Sequence, residues 1–144
     1  QQWLKKHPDY RIILVGDSGD LNALLDHPIL KLDGVVNMIG DTDFSPLCMI
    51  LKSASAVVAN DSGIMHISDA LETSLVALYG PTDNTRTRPL SASSKILSSQ
   101  NDCYCNCYAF KASEDSLLEK FGEDYCMKDI TPSDVISTLE SMVG

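Results

Sequence analysis

The run AVVANDSGIMHISDAL at residues 56–71, followed by LVALYG at 75–80, decides the fold. Ala56 to Ala59 form a short apolar run, closed by Asn60-Asp61-Ser62-Gly63, residue types that end strands and open helices. Ile64, Ile67 and Leu71 then recur at helical spacing. Leu75-Val76-Ala77-Leu78-Tyr79 is a second apolar run, stopped by Gly80-Pro81. Strand, helix and strand in so short a span read as one parallel unit joined by a right-handed crossover.

The same grammar extends in both directions. Upstream, Ile12-Ile13-Leu14-Val15 ends at Gly16, and Leu21, Leu24 and Leu25 mark a helix after the turn Asp17-Ser18-Gly19. Val35 to Ile39 is the next strand, closed by Gly40. Ser45 reads as a cap with Pro46 in the first turn, and Leu47, Ile50, Leu51 and Ala54 supply a helical stripe. Downstream, Lys95-Ile96-Leu97 is a weaker fifth strand. Thr131, Pro132 and Asp134 announce a final helix, with Val135, Leu139, Met142 and Val143 on its apolar side. Nearly continuous apolar strands imply burial on both faces. The expected fold is α/β: a doubly wound parallel sheet, Rossmann-like, forming a single domain over residues 1–144. In such sheets ligands lie at the carboxyl ends of the strands. That rule selects Gly16 to Asp20, Gly40 to Asp43, Asp61 to His66, and Gly80 to Asp83.

Composition narrows the partners. Twenty acidic residues oppose 11 basic ones, a formal charge of −9, and the longest basic run is Lys5-Lys6. A phosphate backbone requires clustered cations, so nucleic acid is not an expected partner. A single nucleotide is different, because helix-end amides hold phosphate without cationic side chains. No stretch is long and apolar enough for a transmembrane helix, and residues 1–10 lack the order of a signal peptide. An opening at Gln1 reads as the cut end of a longer protein. Five cysteines, an odd number, do not form a secreted disulfide framework, and a cytoplasmic setting is expected.

The sharpest chemistry sits in Asn60-Asp61-Ser62-Gly63-Ile64-Met65-His66. Ser62 can cap the helix, Gly63 lets a ligand approach the backbone, and the first free N–H groups form an anion site. His66, one turn inside, reaches the same anion, and a diphosphate fits. From periodicity alone the commoner outcome is plainer: Asp61 and Ser62 cap a helix, and His66 is a satisfied core histidine. His7 and His27 each precede a proline and read as loop residues.

DSGIMHISDAL followed by LVALYGPTD resembles the hallmark of the heptosyltransferases, glycosyltransferases of bacterial lipopolysaccharide core synthesis. VVNMIGDTDFSPLCMIL and YCMKDITPSDVISTL are similar to further segments of that family, in the same order. The resemblance implies the C-terminal half of a two-domain GT-B enzyme with a cleft between its halves. By that resemblance, Asp61, Ser62, Gly63 and His66 hold the diphosphate and adjoining sugar of an ADP-sugar donor. Thr42 lies near the nucleoside, Gly16 and Asp20 border the ribose, and Thr82 touches the donor or only shapes its turn. The reaction implied is transfer of heptose from ADP-heptose to the lipopolysaccharide core. No cofactor or metal is implied. The catalytic base and the acceptor site belong to an N-terminal half absent here, so this segment alone is expected to be inactive. The complete protein is expected in the cytoplasm, with peripheral contact at the inner membrane face.

Two other readings compete. A nucleotide-sugar epimerase can use a similar half domain, although the Gly-Pro-Thr loop and the cysteine-bearing tail favour the transferase. The non-enzyme reading is a stand-alone nucleotide-binding or zinc-stabilised module. Cys103, Cys105 and Cys107 alternate, and Cys126 completes four thiols, the number a structural zinc takes. Their spacing is not that of a standard zinc pair, and zinc, a disulfide and free thiols all stay open.

Overall fold

The computed structural model describes residues 1–80, 82–99 and 127–143. Cys103, Cys105, Cys107 and Cys126, the short helix expected around Leu117, and Pro81 lie outside the described residues. The chain divides into two compact units, Gln1–Ile50 and Leu51–Gly144.

In the first unit, helix α1 (Gln2–Lys6) leads to strand β1 (Ile12–Leu14) and helix α2 (Ser18–Leu24). A 3-10 turn (Pro28–Lys31) then precedes strand β2 (Val35–Asn37). The strands are parallel, pairing Ile12 with Val35, Ile13 with Val36 and Leu14 with Asn37. Helix α2 is opened by a capping box. The Asp17 carboxylate accepts from the N–H groups of Gly19 and Asp20, and Asp20 returns a carboxylate oxygen to the Asp17 N–H at 3.0 Å. Both loop histidines have local roles. His7 ends α1 with its ring stacked on Trp3 at 4.1 Å, and His27 accepts the Ile29 N–H through Nδ1.

Helix α3 (Phe44–Ser53) starts one residue before the expected cap, so Ser45 lies inside its first turn. The Asp43 carbonyl already accepts the Leu47 N–H at 3.0 Å. Pro46 still falls in the first turn, where its missing N–H costs nothing.

The second unit carries strands β3 (Val57–Asn60), β4 (Leu75–Tyr79) and β5 (Ser94–Ser98), parallel and in that order. The register pairs Val57 with Leu75 and Leu75 with Ser94. Between the strands lie helix α4 (Gly63–Ala70) and the short helix α5 (Asn84–Thr87), and helix α6 (Pro132–Val143) closes the chain. The central strand is the core: Leu75, Val76, Ala77 and Tyr79 are fully buried. Elsewhere the apolar runs overstate burial. Ile13 and its register partner Val36 are each 44% exposed, and Val58 is also exposed. A run of apolar residues records composition; only a strand flanked and covered on both sides, as β4 is, becomes inaccessible.

The buried positions of α4 are Met65 and Ser68, whereas the expected Ile64, Ile67 and Leu71 are half-buried. Ser68 tolerates the core because its hydroxyl donates to the Ile64 carbonyl at 2.8 Å. The helix ends with Glu72 at φ 56°, a left-handed residue whose neighbour Thr73 returns its N–H to the Ser68 carbonyl. Helix α6 begins as expected. Thr131 Oγ1 accepts the Asp134 N–H at 3.2 Å, and the Asp134 carboxylate takes the Thr131 N–H at 2.9 Å. Its apolar residues Val135, Leu139, Met142 and Val143 are half-buried rather than buried. Among the described residues no helix is long and apolar enough to cross a membrane.

Candidate functional site

Strand β3 delivers the chain to Asp61 and then to Ser62, which is extended at φ −155° and ψ 172°. Ser62 occupies the cap position of α4, yet its side chain makes no capping hydrogen bond. The expected serine cap is therefore not formed, and the first amides of α4 are left without it. A Cβ added to Gly63 would meet no atom within 4 Å. The protein's own packing thus gives no reason for glycine at that point.

Asp61 reaches across to α5, where its Oδ2 accepts the Thr87 hydroxyl at 2.9 Å. Its Oδ1 lies 3.8 Å from His66 Nε2, within ion-pair reach but longer than a hydrogen bond. The Asp61 side chain is 13% exposed and that of His66 is 54% exposed. Of the plain alternative, in which Asp61 and Ser62 cap the helix and His66 is a core histidine, Ser62 makes no capping bond and His66 is exposed.

Thr87 is itself anchored. Its carbonyl accepts the hydroxyl of buried Tyr79 at 2.9 Å, and the same hydroxyl lies 3.3 Å from Met65 Sδ. Burial pushes the Tyr79 phenol above its ordinary value of 10.0, and the carboxylates of Asp61 and Asp69 add to that effect. The phenol is accordingly a neutral donor. Helix α5 is opened by Asp83, whose Oδ1 accepts from both the hydroxyl and the N–H of Thr85. Those two bonds hold the Asp83 carboxyl below 3.8. Thr82, half-buried, directly precedes this cap.

A second carboxylate fastens the far end of α4. Asp69 accepts the N–H groups of Leu90 and Ser91, each at 2.9 Å, and the Ser94 hydroxyl at 3.2 Å. Burial works against its ionisation, but these donors outweigh it and the carboxyl lies below its ordinary 3.8. Asp69 thus ties the helix carrying His66 to the start of β5.

The remaining candidates belong to the first unit. The Gly16 carbonyl accepts the Gly40 N–H at 3.0 Å, bringing the loops after β1 and β2 together. A Cβ on Gly16 would lie 2.5 Å from an Asp20 oxygen, so this residue must be small for Asp20 to close its capping box. Thr42 is half-buried between Gly40 and α3. Asp61, Ser62, Gly63 and His66 are thus brought together, with Thr82 on the loop that leads to Thr87. Gly16 and Asp20 are brought together within the first unit. Among the described residues no three His, Cys, Asp or Glu side chains are grouped to hold a metal ion. Sequence reasoning missed Thr87, Tyr79 and Asp69. The segment TDNTRTRP offered hydroxyls and a carboxylate but no periodic signal to single out Thr87.

Residues 3–115 match the family described as glycosyltransferase family 9 (heptosyltransferase). The chain is 34% identical over 111 residues to a lipooligosaccharide heptosyltransferase 2 of Haemophilus ducreyi, covering 76% of this chain and 30% of that protein. Among solved structures it is similar to an E. coli protein described as an ADP-heptose lps heptosyltransferase II. There the TM-score is 0.72 and the identity 27%, covering 99% of this chain and 39% of the other. A family 9 glycosyltransferase from Veillonella parvula shares the fold, with TM-score 0.73 and 20% identity, over 94% of this chain and 37% of its own. The chain spans less than two fifths of the length of each of these three proteins.

Proposed function

Because the chain belongs to glycosyltransferase family 9 (heptosyltransferase), we propose that it binds the diphosphate of an ADP-heptose donor for transfer of heptose to a lipopolysaccharide core. The observation that carries this reading is the start of α4. Its first amides lack a serine cap, Gly63 opens onto free space, and exposed His66 stands one turn inside. Amides at a helix N-terminus, aided by the helix dipole, attract an anion. His66 adds an imidazole N–H donor on the same side. The similarity to the E. coli ADP-heptose lps heptosyltransferase II supports the choice of nucleotide.

In the transfer, the bond between the sugar's anomeric carbon and the diphosphate breaks, and charge builds on the departing phosphate oxygens. Donors already aimed at those oxygens lower the barrier. Here the α4 amides and His66 fill that role, while Asp61 is suited to accept hydrogen bonds from sugar hydroxyls. Gly16, Asp20 and Thr42 serve the nucleoside and Thr82 borders the donor. The acceptor and its general base belong to sequence beyond this chain, which acts as the donor-binding domain of a larger cytoplasmic enzyme.

Calorimetric titration with ADP tests the reading, with UDP and GDP as controls. ADP is expected to bind, and His66→Ala to weaken it about tenfold, the loss of one hydrogen bond to a charged group. Preference for UDP or GDP would reassign the donor. Indifference to His66→Ala would remove the helix-end site.

A further inference from the structure

Building on the α4 terminus as a diphosphate site, we infer that Thr87 is a positioning residue that holds the Asp61 carboxylate off the helix-end amides. Asp61 immediately precedes Ser62, the cap position of α4. A carboxylate near a helix N-terminus is stabilised by the free amides and the helix dipole. An unrestrained Asp61 would compete for the same N–H groups as a phosphate, and its negative charge would repel the ligand. Among the described hydrogen bonds, none runs from an α4 amide to Asp61. Ser62 does not cap, and the hydrogen bond of Asp61 runs to Thr87 Oγ1 at 2.9 Å, 26 residues along the chain.

The restraint is well anchored. Thr87 Oγ1 has one proton and two acceptors in range, Asp61 Oδ2 at 2.9 Å and the Asp83 carbonyl at 3.3 Å. The shorter contact, to the charged oxygen, is the stronger. The Thr87 backbone cannot drift, because its carbonyl is held at 2.9 Å by Tyr79, whose side chain is fully buried in β4. A line of contacts therefore runs from the sheet core through Tyr79 and Thr87 to Asp61. The same restraint leaves Asp61 Oδ1 on the His66 side.

A double-mutant cycle read by ADP calorimetry on the 144-residue chain tests this. Thr87→Val keeps the shape and removes the donor, and it should weaken ADP binding about tenfold. Thr87→Ser keeps the hydroxyl and should restore binding to within about twofold of the parent. With Asp61→Ala already present, Thr87→Val should have no further effect, because it acts through that carboxylate. Equal binding by Thr87→Val and the parent, or the same weakening whether or not Asp61 is present, would overturn the inference while leaving the nucleotide reading intact. Absence of ADP binding by the parent chain would remove both.

Discussion

Replacing Tyr79 by alanine is expected to lower the unfolding free energy by about 3–5 kcal/mol, read as a shift of the urea midpoint. Tyr79 is fully buried in the central strand, and truncation leaves an aromatic-sized cavity that β3 and β5 are too firmly paired to fill. The loss is compounded by chemistry. The Thr87 carbonyl loses its phenolic donor, and Met65 loses its neighbour. Tyr79→Phe separates the two contributions. It keeps the ring and should cost only about 1 kcal/mol, the ordinary worth of one hydrogen bond. Were Tyr79→Ala to cost no more than Tyr79→Phe, the ring would not be the packing centre of this unit.

The second large effect concerns Asp69. Asp69→Ala removes the acceptor of three hydrogen bonds that tie α4 to the start of β5, and should cost about 2–3 kcal/mol at neutral pH. Its pH dependence has a definite sign. The folded carboxyl titrates below its ordinary value of 3.8. Its contribution is therefore complete above that value and is lost as pH falls below it, through the folded value. The stability gap between parent and Asp69→Ala should accordingly be constant near neutrality and narrow in acid. Thermal unfolding as a function of pH measures it, and a gap that widened in acid would contradict the assignment.

How much of this was legible beforehand depends on the kind of signal. Among the described residues, strands β1 to β4 lie where apolar runs meet Gly or Asp, since such runs bounded by turn residues have few other solutions, whereas the weaker β5 is bounded by serines. Leu75–Tyr79 has the bounds its run defines, and Thr131 with Asp134 caps α6 as their spacing requires. The buried side of α4 was misplaced because a hydropathy pattern counts Ser68 as polar. The pattern cannot register that its hydroxyl is satisfied within its own helix. Ser62 misled for a related reason: its residue type permits capping, but the side chain does not make the bond. Asp61 and His66 were found through a motif. Thr87 and Asp69 act through contacts between residues 21 to 26 apart in sequence, to which no local spacing rule applies.

The register of the three-stranded sheet also bears on how the second unit forms. Val57 pairs with Leu75 and Leu75 with Ser94, separations of eighteen and nineteen residues (75 − 57 and 94 − 75). Loops of that size close at modest entropic cost, because the cost grows only logarithmically with length. Among the described residues, every strand pairing in this unit is thus made between strands consecutive in the order of synthesis. The sheet can assemble in sequence as the polypeptide emerges from the ribosome, β4 docking on β3 and β5 on β4. None of these pairings waits for a distant part of the chain, so the slow search that burdens many parallel sheets is shortened here.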